Sequence, residues 1–171
     1  MGVADFFNIR LMETVRTIDL TRYMGRWYEI ARLEQWYERG LVGVTATYTL
    51  RPDGTVSVLN EGCEGSLSGR RKMAAGRAHV VDPAEPGHLR VAFFLWFYAD
   101  YWILELDTVN YGYALVGGGR KRDALWVLSR TPTLPQETVR KLLTRAASLG
   151  YDIDRLIFTP QSADGACGVN S

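Results

Sequence analysis

The residues of this 171-residue chain that could do covalent chemistry are few. Its two histidines, His79 and His88, have no serine or cysteine near them in the arrangement of a nucleophile and its base. No spacing of histidine, cysteine and carboxylate residues is typical of a metal site, and no glycine-rich loop matches a phosphate-binding fingerprint. Cys63 is the one credible nucleophile. The sequence therefore predicts a protein that is not an enzyme and has no metal or cofactor.

The two cysteines, Cys63 and Cys167, leave two states open. Each could be an inert free thiol, or the two could form one disulfide bridge. A bridge would close a loop of about a hundred residues, which in the chain-entropy model stabilises the fold by roughly 4 to 5 kcal/mol. The choice depends on the compartment, because disulfides persist in oxidising surroundings.

Charge and composition narrow the classes of partner. The chain has 20 basic and 19 acidic residues, with 47% hydrophobic and 23% charged residues, as in a globular domain. Because the basic residues form no stripe, no nucleic-acid partner is expected. No run of about 18 apolar residues occurs, so no transmembrane helix is expected.

Polar residues interrupt the N-terminal segment, where Asp5, Asn8 and Arg10 lie among apolar residues. This pattern does not fit the apolar core of a secretory signal. As it stands, the sequence predicts a cytoplasmic protein, whereas a leader ahead of this segment would make it periplasmic or membrane-anchored. The localisation therefore stays open.

Alternating apolar and polar residues predict strands along most of the chain. Val42–Leu50 places Val44, Ala46 and Tyr48 on one face and threonines on the other, and the turn residues 51–54 follow. The same reading along the chain predicts eight strands, at 25–33, 42–50, 55–60, 73–81, 89–96, 101–106, 111–117 and 125–129.

Helical spacing is clear in one region, which begins near Pro135 and ends near Gly150. Eight strands with short turns predict an all-β, eight-stranded antiparallel up-and-down barrel, with this helix packed outside and a short last strand at 155–159. A β-sandwich fits the same pattern. We expect an N-terminal lead-in at 1–22, the barrel and helix at 23–160, and a mobile tail at 161–171.

Three short motifs carry a resemblance to a known family: Gly25-Arg26-Trp27, the segment from Leu106-Asp107 to Tyr111, and Ser129-Arg130-Thr131-Pro132. Over roughly residues 17–160 the chain resembles the lipocalins in all three of their signature regions, in order. It is most similar in appearance to bacterial lipocalins, plant temperature-induced lipocalins and apolipoprotein D. The second motif departs from the common Thr-Asp-Tyr form, since Leu106 precedes Asp107.

The resemblance implies a structural floor at one end of the barrel. Trp27 would cross this closed end with Arg130 over its ring, which is a favourable cation–π pair. Gly25 would let the chain enter the first strand without a clash. Asp107 belongs to the same group of floor residues.

The resemblance also implies a function: binding, carriage or storage of a small hydrophobic ligand such as a fatty acid or a lysophospholipid, with a role in membrane maintenance under stress. Small residues leave space in such a barrel and aromatic residues shape it. Arg90 shares strand parity with Phe94, so it could point inward towards an anionic head group, and the alternative is a solvated charge on the surface. The candidate ligand-binding residues are Tyr48, Val58, Ala78, Arg90, Phe94, Trp96, Trp102, Leu104 and Trp126.

Two other functions stay open. A barrel enzyme acting on a lipid or isoprenoid would use Cys63 or a buried carboxylate. A membrane-associated interaction module would use the aromatic run 93–98, whose Trp96, Phe97 and Tyr98 could contact a membrane, meet a second copy in a homodimer, or cover the cavity as a lid. The basic cluster at residues 70–72 would be attracted weakly to anionic lipids.

Overall fold

The fold is a nine-stranded sheet with one long helix, seen in a computed structural model that describes residues 12–94, 97–119, 121–163 and 167. A short helix precedes the sheet, and a 3₁₀ turn precedes the last strand. The elements are α1 Leu20–Tyr23, β1 Gly25–Leu33, β2 Leu41–Leu50, β3 Val56–Glu64, β4 Arg71–Val80, β5 His88–Phe94, β6 Phe97–Leu106, β7 Tyr113–Gly118, β8 Ala124–Ser129, α2 Gln136–Ser148 and β9 Leu156–Phe158.

The strands form a closed barrel. Each strand from β2 to β7 pairs with the next strand in sequence, β8 pairs with β1, and β1 pairs with β2, all antiparallel. The ninth strand, β9, adds to the end of β1. The predicted eight-stranded up-and-down barrel is confirmed, and the sandwich alternative is excluded.

The predicted strand positions are close, but β3 is longer than predicted. It continues through Gly62 and Cys63 to Glu64, where the sequence suggested a loop. β3 pairs with β4 along its whole length, from Val56 opposite Ala78 to Cys63 opposite Arg71. Ladder hydrogen bonds to β4 thus hold this glycine-containing segment in the sheet despite its low strand propensity.

The helix α2 covers one outer side of the barrel. Leu142 and Ala146 are fully buried and belong to one cluster with Leu115 and Val127 of the barrel wall. The helix stops where predicted, because Gly150 takes a left-handed φ of 92° that lets the chain turn away. This outer cluster is separate from the one inside the barrel.

The barrel wall has a seam between β1 and β2. These strands pair only at residues 25–28 and 45–48, towards one end. Beyond that point a seam segment, residues 159–161, lies between them. The backbone N–H of Thr159 donates to the carbonyl of Ile30 at 2.9 Å.

The seam segment also contacts β2. The N–H of Gly43 donates to the carbonyl of Pro160 at 2.8 Å. The side-chain amide of Gln161 donates to the carbonyls of Glu29 and Val44, each at 2.8 Å. The C-terminal part of the chain therefore completes the wall.

Two residues of the predicted mobile tail are anchored. Gln161 is held in the seam, and Cys167 forms a disulfide with Cys63 of β3, with an S–S distance of 2.06 Å. The tail is therefore tied to the barrel at two points, and of the two states open for the cysteines the structure has the bridge.

Candidate functional site

Trp27 and Arg130 seal one end of the barrel, which we call the closed end. Trp27 is completely buried, and the Arg130 guanidinium lies 3.8 Å from the centroid of its ring. The indole Nε1 donates to the carbonyl of Tyr23 at 2.9 Å. Both residues lie where the resemblance implied.

The Arg130 guanidinium also joins three backbone segments. It donates to the carbonyls of Tyr111, Arg26 and Arg22, at 3.2, 2.9 and 2.7 Å. Gly25 has a φ of 95°, and a Cβ atom there would lie 3.3 Å from Arg130 Nη1. A side chain at this position would therefore both strain the backbone and crowd the guanidinium.

Asp107 organises the turn between β6 and β7 at the closed end. Its carboxylate accepts hydrogen bonds from the N–H groups of Val109, Asn110 and Gly112, at 3.1 to 3.2 Å. Partial burial acts to raise the pKa of Asp107, but these three bonds lower it overall. Asp107 thus shapes the closed end without reaching the barrel interior.

A cavity of about 100 Å³ lies inside the barrel. This is smaller than the range of about 300 to 1,000 Å³ that is usual for drug-sized ligands, so a long acyl chain fits only in part. The lining combines apolar and aromatic side chains with three carboxylates: Glu29, Tyr37, Glu38, Val44, Thr45, Ala46, Tyr48, Val58, Asn60, Val91, Phe93, Ala99, Asp100, Tyr101, Val116, Trp126 and Leu128.

Three of the candidate ligand-binding residues, Tyr48, Val58 and Trp126, line this cavity. Ala78 lies in the same inner core but not at the cavity wall. Phe94 is the last residue of β5, and Trp96 lies outside the described residues, so its predicted contact stays a prediction.

The predicted inward position of Arg90 is wrong, because its side chain is exposed on the outer face of β5. Its neighbours Leu89 and Val91 are buried in the inner core, whereas Arg90 is exposed and its Nε lies 3.5 Å from Asp100 Oδ1. The prediction assigned the wrong face of β5 to the interior. Leu89, Val91 and Phe93 face the inner core, so Arg90 lies on the opposite face of the strand.

The prediction that Trp102 and Leu104 bind ligand inside the barrel is also wrong, because both side chains face outward. Both pack in the outer cluster beneath α2, while Ile103 and Leu106 belong to the inner core. The sequence pattern placed Trp102, Leu104 and Leu106 on one face, but a register shift between Ile103 and Glu105 moves Leu106 to the other.

Three phenol groups meet at the inner end of the cavity. The hydroxyl of Tyr101 lies 2.6 Å from that of Tyr23 and 3.0 Å from that of Tyr48. Burial raises the pKa of all three, that of Tyr48 to about 12. They therefore stay protonated and able to donate at neutral pH. Sequence reasoning identified Tyr48 but missed its partners.

Buried charges lie at the other end of the cavity. Glu29 Oε1 is 2.8 Å from Arg32 Nη1 and accepts the hydroxyl of Thr159 at 2.5 Å. The Glu38 carboxylate accepts the indole Nε1 of Trp126 at 3.2 Å and lies 3.7 Å from Arg32 Nε. The predicted set contained neither Arg32 nor Glu38.

Burial is the main cause of the unusual pKa values in this cluster. Burial together with the neighbouring Glu29 raises the pKa of Glu38 to about 8, although Arg32 acts in the opposite direction. Burial also raises the pKa of Glu29, although Arg32 and Thr159 act in the opposite direction. Glu38 is therefore largely protonated at neutral pH.

The open end, opposite Trp27, exposes aromatic and basic side chains. Trp36, in the connection from β1 to β2, is 82% exposed, and Tyr98 at the start of β6 is 54% exposed. Basic residues lie on the same rim at Arg39, Arg70 and Arg71. The sequence-based prediction of a membrane contact did not include Trp36, because Trp36 lies outside the aromatic run 93–98.

Three further features concern thiol catalysis, metal binding and membrane-spanning helices in the described part of the chain. Cys63 is bonded to Cys167, so its sulfur is not the free nucleophile that a thiol enzyme would need. Among the described residues no group of three or more histidine, cysteine or acidic residues could hold a metal ion. No helix found in those residues is long and apolar enough to cross a membrane.

The comparisons with known proteins agree with this geometry. The family model of the lipocalin-like domain matches residues 18–161. The outer membrane lipoprotein Blc of Vibrio cholerae is 43% identical over 150 residues, covering 88% of this chain and 86% of that protein. Temperature-induced lipocalin-1 of Arabidopsis thaliana is 41% identical over 160 residues, covering 88% of this chain and 83% of that protein. Apolipoprotein D of Mus musculus is 37% identical over 151 residues, covering 84% and 77%.

The fold is also similar to that of solved structures. Insecticyanin from the tobacco hornworm Manduca sexta superposes with a TM-score of 0.71 at 22% identity, covering 93% of this chain and 88% of that one. The matched family model spans most of the chain, including the Trp27–Arg130 floor and the cavity. This chain therefore belongs to the lipocalin family.

Proposed function

We propose that this chain binds a small hydrophobic molecule in its barrel cavity and acts as a carrier or store for it. The observation that carries the proposal is the cavity itself, which lies above the Trp27–Arg130 floor and has walls of Val58, Val116 and Leu128. Each methylene group that moves from water into such walls contributes about 0.8 kcal/mol. The cavity accommodates a small ligand, or one end of a longer lipid.

Native mass spectrometry of the purified protein, followed by extraction and identification of bound lipid, tests this proposal directly. Ala46 lines the cavity, so Ala46→Phe should fill it and abolish uptake of a neutral fluorescent probe such as N-phenylnaphthylamine. Thr47→Phe, on the other side of the same strand, is the matched control and should retain uptake. Unchanged uptake in Ala46→Phe would overturn the proposal.

We also propose that the open end contacts a membrane. The exposed rings of Trp36 and Tyr98 lie at the same end of the barrel as Arg70 and Arg71, and aromatic with basic side chains suit the interface of an anionic bilayer. The two arginines are paired with Glu64 and Glu61, so the rings are expected to contribute most of the contact. The relative from Vibrio cholerae is named an outer membrane lipoprotein, which agrees with a membrane location. A role in maintaining membrane lipids under stress would follow from ligand exchange at this surface.

Co-sedimentation with vesicles of phosphatidylglycerol, compared with phosphatidylcholine, tests the membrane contact. Trp36→Ser should weaken binding while probe uptake is retained. Val109→Ser is the control, because Val109 is 74% exposed at the closed end. Concentration-dependent dimers that dissociate in Trp36→Ser, with no vesicle binding, would assign the surface to a homodimer instead.

We further propose that the protein resides in an oxidising compartment, in contrast to the cytoplasmic expectation from its N-terminal residues. The bond between Cys63 and Cys167 supports this location, since disulfides are rare in reducing compartments. Alkylation of free thiols in acid-quenched cells should leave both cysteines unmodified. Alkylation of both would overturn the proposal.

A further inference from the structure

The phenol chain at the inner end of the cavity has one hydrogen more than it can use. Tyr23, Tyr48 and Tyr101 bring three O–H donors, whereas the two contacts between them consume two. Among the described residues no further acceptor lies in hydrogen-bonding contact with these hydroxyls. If Tyr23 donates to Tyr101 and Tyr101 donates to Tyr48, the remaining hydrogen belongs to Tyr48, which lines the cavity.

A buried donor without an acceptor is costly, so an acceptor in the cavity would be stabilising. A second arrangement leaves the spare hydrogen on Tyr101, which also lines the cavity, and the third leaves it on Tyr23, which does not line it. An acceptor in the cavity would stabilise the first two arrangements over the third. An oxygen atom of a bound molecule, placed against these two phenols, would accept it.

The charges around the cavity restrict what this oxygen can belong to. The described lining contains three acidic residues, Glu29, Glu38 and Asp100, and no lysine or arginine. Of these, Glu38 is largely protonated at neutral pH, and the carboxylate of Asp100 lies 2.8 Å from His88 Nε2. Two arginines touch these carboxylates, but Arg32 already contacts Glu29 and Glu38, and Arg90 contacts Asp100 from outside. An ionised carboxylate on the ligand would thus lose its water and meet no uncommitted cation.

We propose that the cavity selects uncharged amphiphiles with a hydrogen-bond-accepting oxygen, such as an alcohol, ketone or ester. It discriminates against the carboxylate with the same carbon chain. This inference rests on the proposed ligand-binding function. The oxygen lies against Tyr48 and Tyr101, and the hydrocarbon part contacts the apolar walls. The expected ligands are therefore neutral lipids with a polar oxygen, and ionised fatty acids are disfavoured.

Displacement of N-phenylnaphthylamine from the whole protein at neutral pH tests this selectivity. Decanol and decanoate form a matched pair of equal chain length. We expect decanol to displace the probe at a concentration about tenfold lower than decanoate. Equal or tighter binding of decanoate would overturn the inference.

Tyrosine variants test the anchoring group. Tyr48→Phe and Tyr101→Phe together should weaken decanol binding about fivefold more than they weaken probe binding, because decanol loses a hydrogen bond that the probe does not make. Tyr113→Phe is the control, since Tyr113 belongs to the outer cluster. Unchanged decanol affinity in the double variant would overturn the inference alone, whereas a wild-type chain that takes up neither probe nor decanol would overturn the proposed function as well.

Discussion

The guanidinium of Arg130 lies 3.8 Å from the centroid of the Trp27 ring and holds three backbone carbonyls around it. The arginine therefore has two tasks at the closed end. It covers the indole face that would otherwise meet water, and it joins the lead-in helix, β1 and the turn before β7. The planar guanidinium, with several N–H donors in one plane, can cover the ring and bind these carbonyls at the same time, whereas the ammonium group of a lysine cannot.

Arg130→Lys should therefore destabilise the fold by about 2 to 3 kcal/mol, although it conserves the charge. Urea unfolding followed by tryptophan fluorescence measures the free energy of unfolding. Arg140→Lys, on the exposed side of α2, is the control and should change it by less than about 0.5 kcal/mol. Equal stability of Arg130→Lys and the wild type would show that charge alone seals the closed end.

Trp102 and Trp126 lie on opposite sides of the barrel wall and should respond differently to alanine. Trp126→Ala removes part of the cavity wall, so it should change probe affinity by about fivefold or more. Trp102→Ala should leave probe affinity unchanged and lower the free energy of unfolding by about 1 to 3 kcal/mol, because it packs in the outer cluster. Loss of probe binding in Trp102→Ala with stability unchanged would contradict the outward position.

The stability of the fold should fall as pH rises from about 4.5 to about 8. In this window Glu38 remains protonated in the folded state, where its pKa is about 8, but ionises in the unfolded chain near its ordinary pKa of 4.5. The folded state then binds more protons, so each rise in pH favours unfolding. Above about pH 8 this contribution levels off.

Glu38→Gln should make that slope shallower, because the amide cannot ionise. Part of the slope should remain, since burial also raises the pKa of Glu29. Free energies of unfolding from urea melts at several pH values give the slope. Glu137→Gln, an exposed substitution in the first turn of α2, should leave it unchanged. A steeper slope in Glu38→Gln would reverse the assigned direction.

Removal of the disulfide should destabilise the protein. The 104-residue separation between Cys63 and Cys167 corresponds to a contribution of up to about 4.7 kcal/mol in the chain-entropy model. Thermal unfolding with and without a reductant measures it, and the Cys63→Ser, Cys167→Ser double variant should match the reduced wild type. A melting temperature that does not respond to reductant would show that the bridge constrains little.

The sequence allowed the barrel, the outer helix and the closed end to be predicted. Alternation of residues determined the strands, and the Gly25-Arg26-Trp27 motif located the floor, because these signals are local. The error at Arg90 arose because the wrong face of β5 was assigned to the interior. The register shift in β6 could not be read from local patterns, and it accounts for the errors at Trp102 and Leu104. A shift of one residue exchanges the inner and outer faces of a strand.

The polar groups of the cavity were harder to predict than its apolar walls. Arg32 and Glu38 are charged residues near the end of β1, and such residues are usually exposed. Their buried partners are distant in sequence, because Arg32 donates to Thr159 and Glu38 accepts from Trp126. Tyr23 and Tyr101 meet Tyr48 for the same reason, since 78 residues separate Tyr23 from Tyr101.

The seam between β1 and β2 bears on how this protein is made. During synthesis β1 emerges well before its partners β8 and β9 and residues 159–161, which lie much later in the chain. Until those elements emerge, one edge of β1 has no strand to pair with, and the apolar interior is exposed to solvent. Contacts over such long sequence separations form slowly, so the nascent chain has a long interval in which other chains or chaperones can bind that edge.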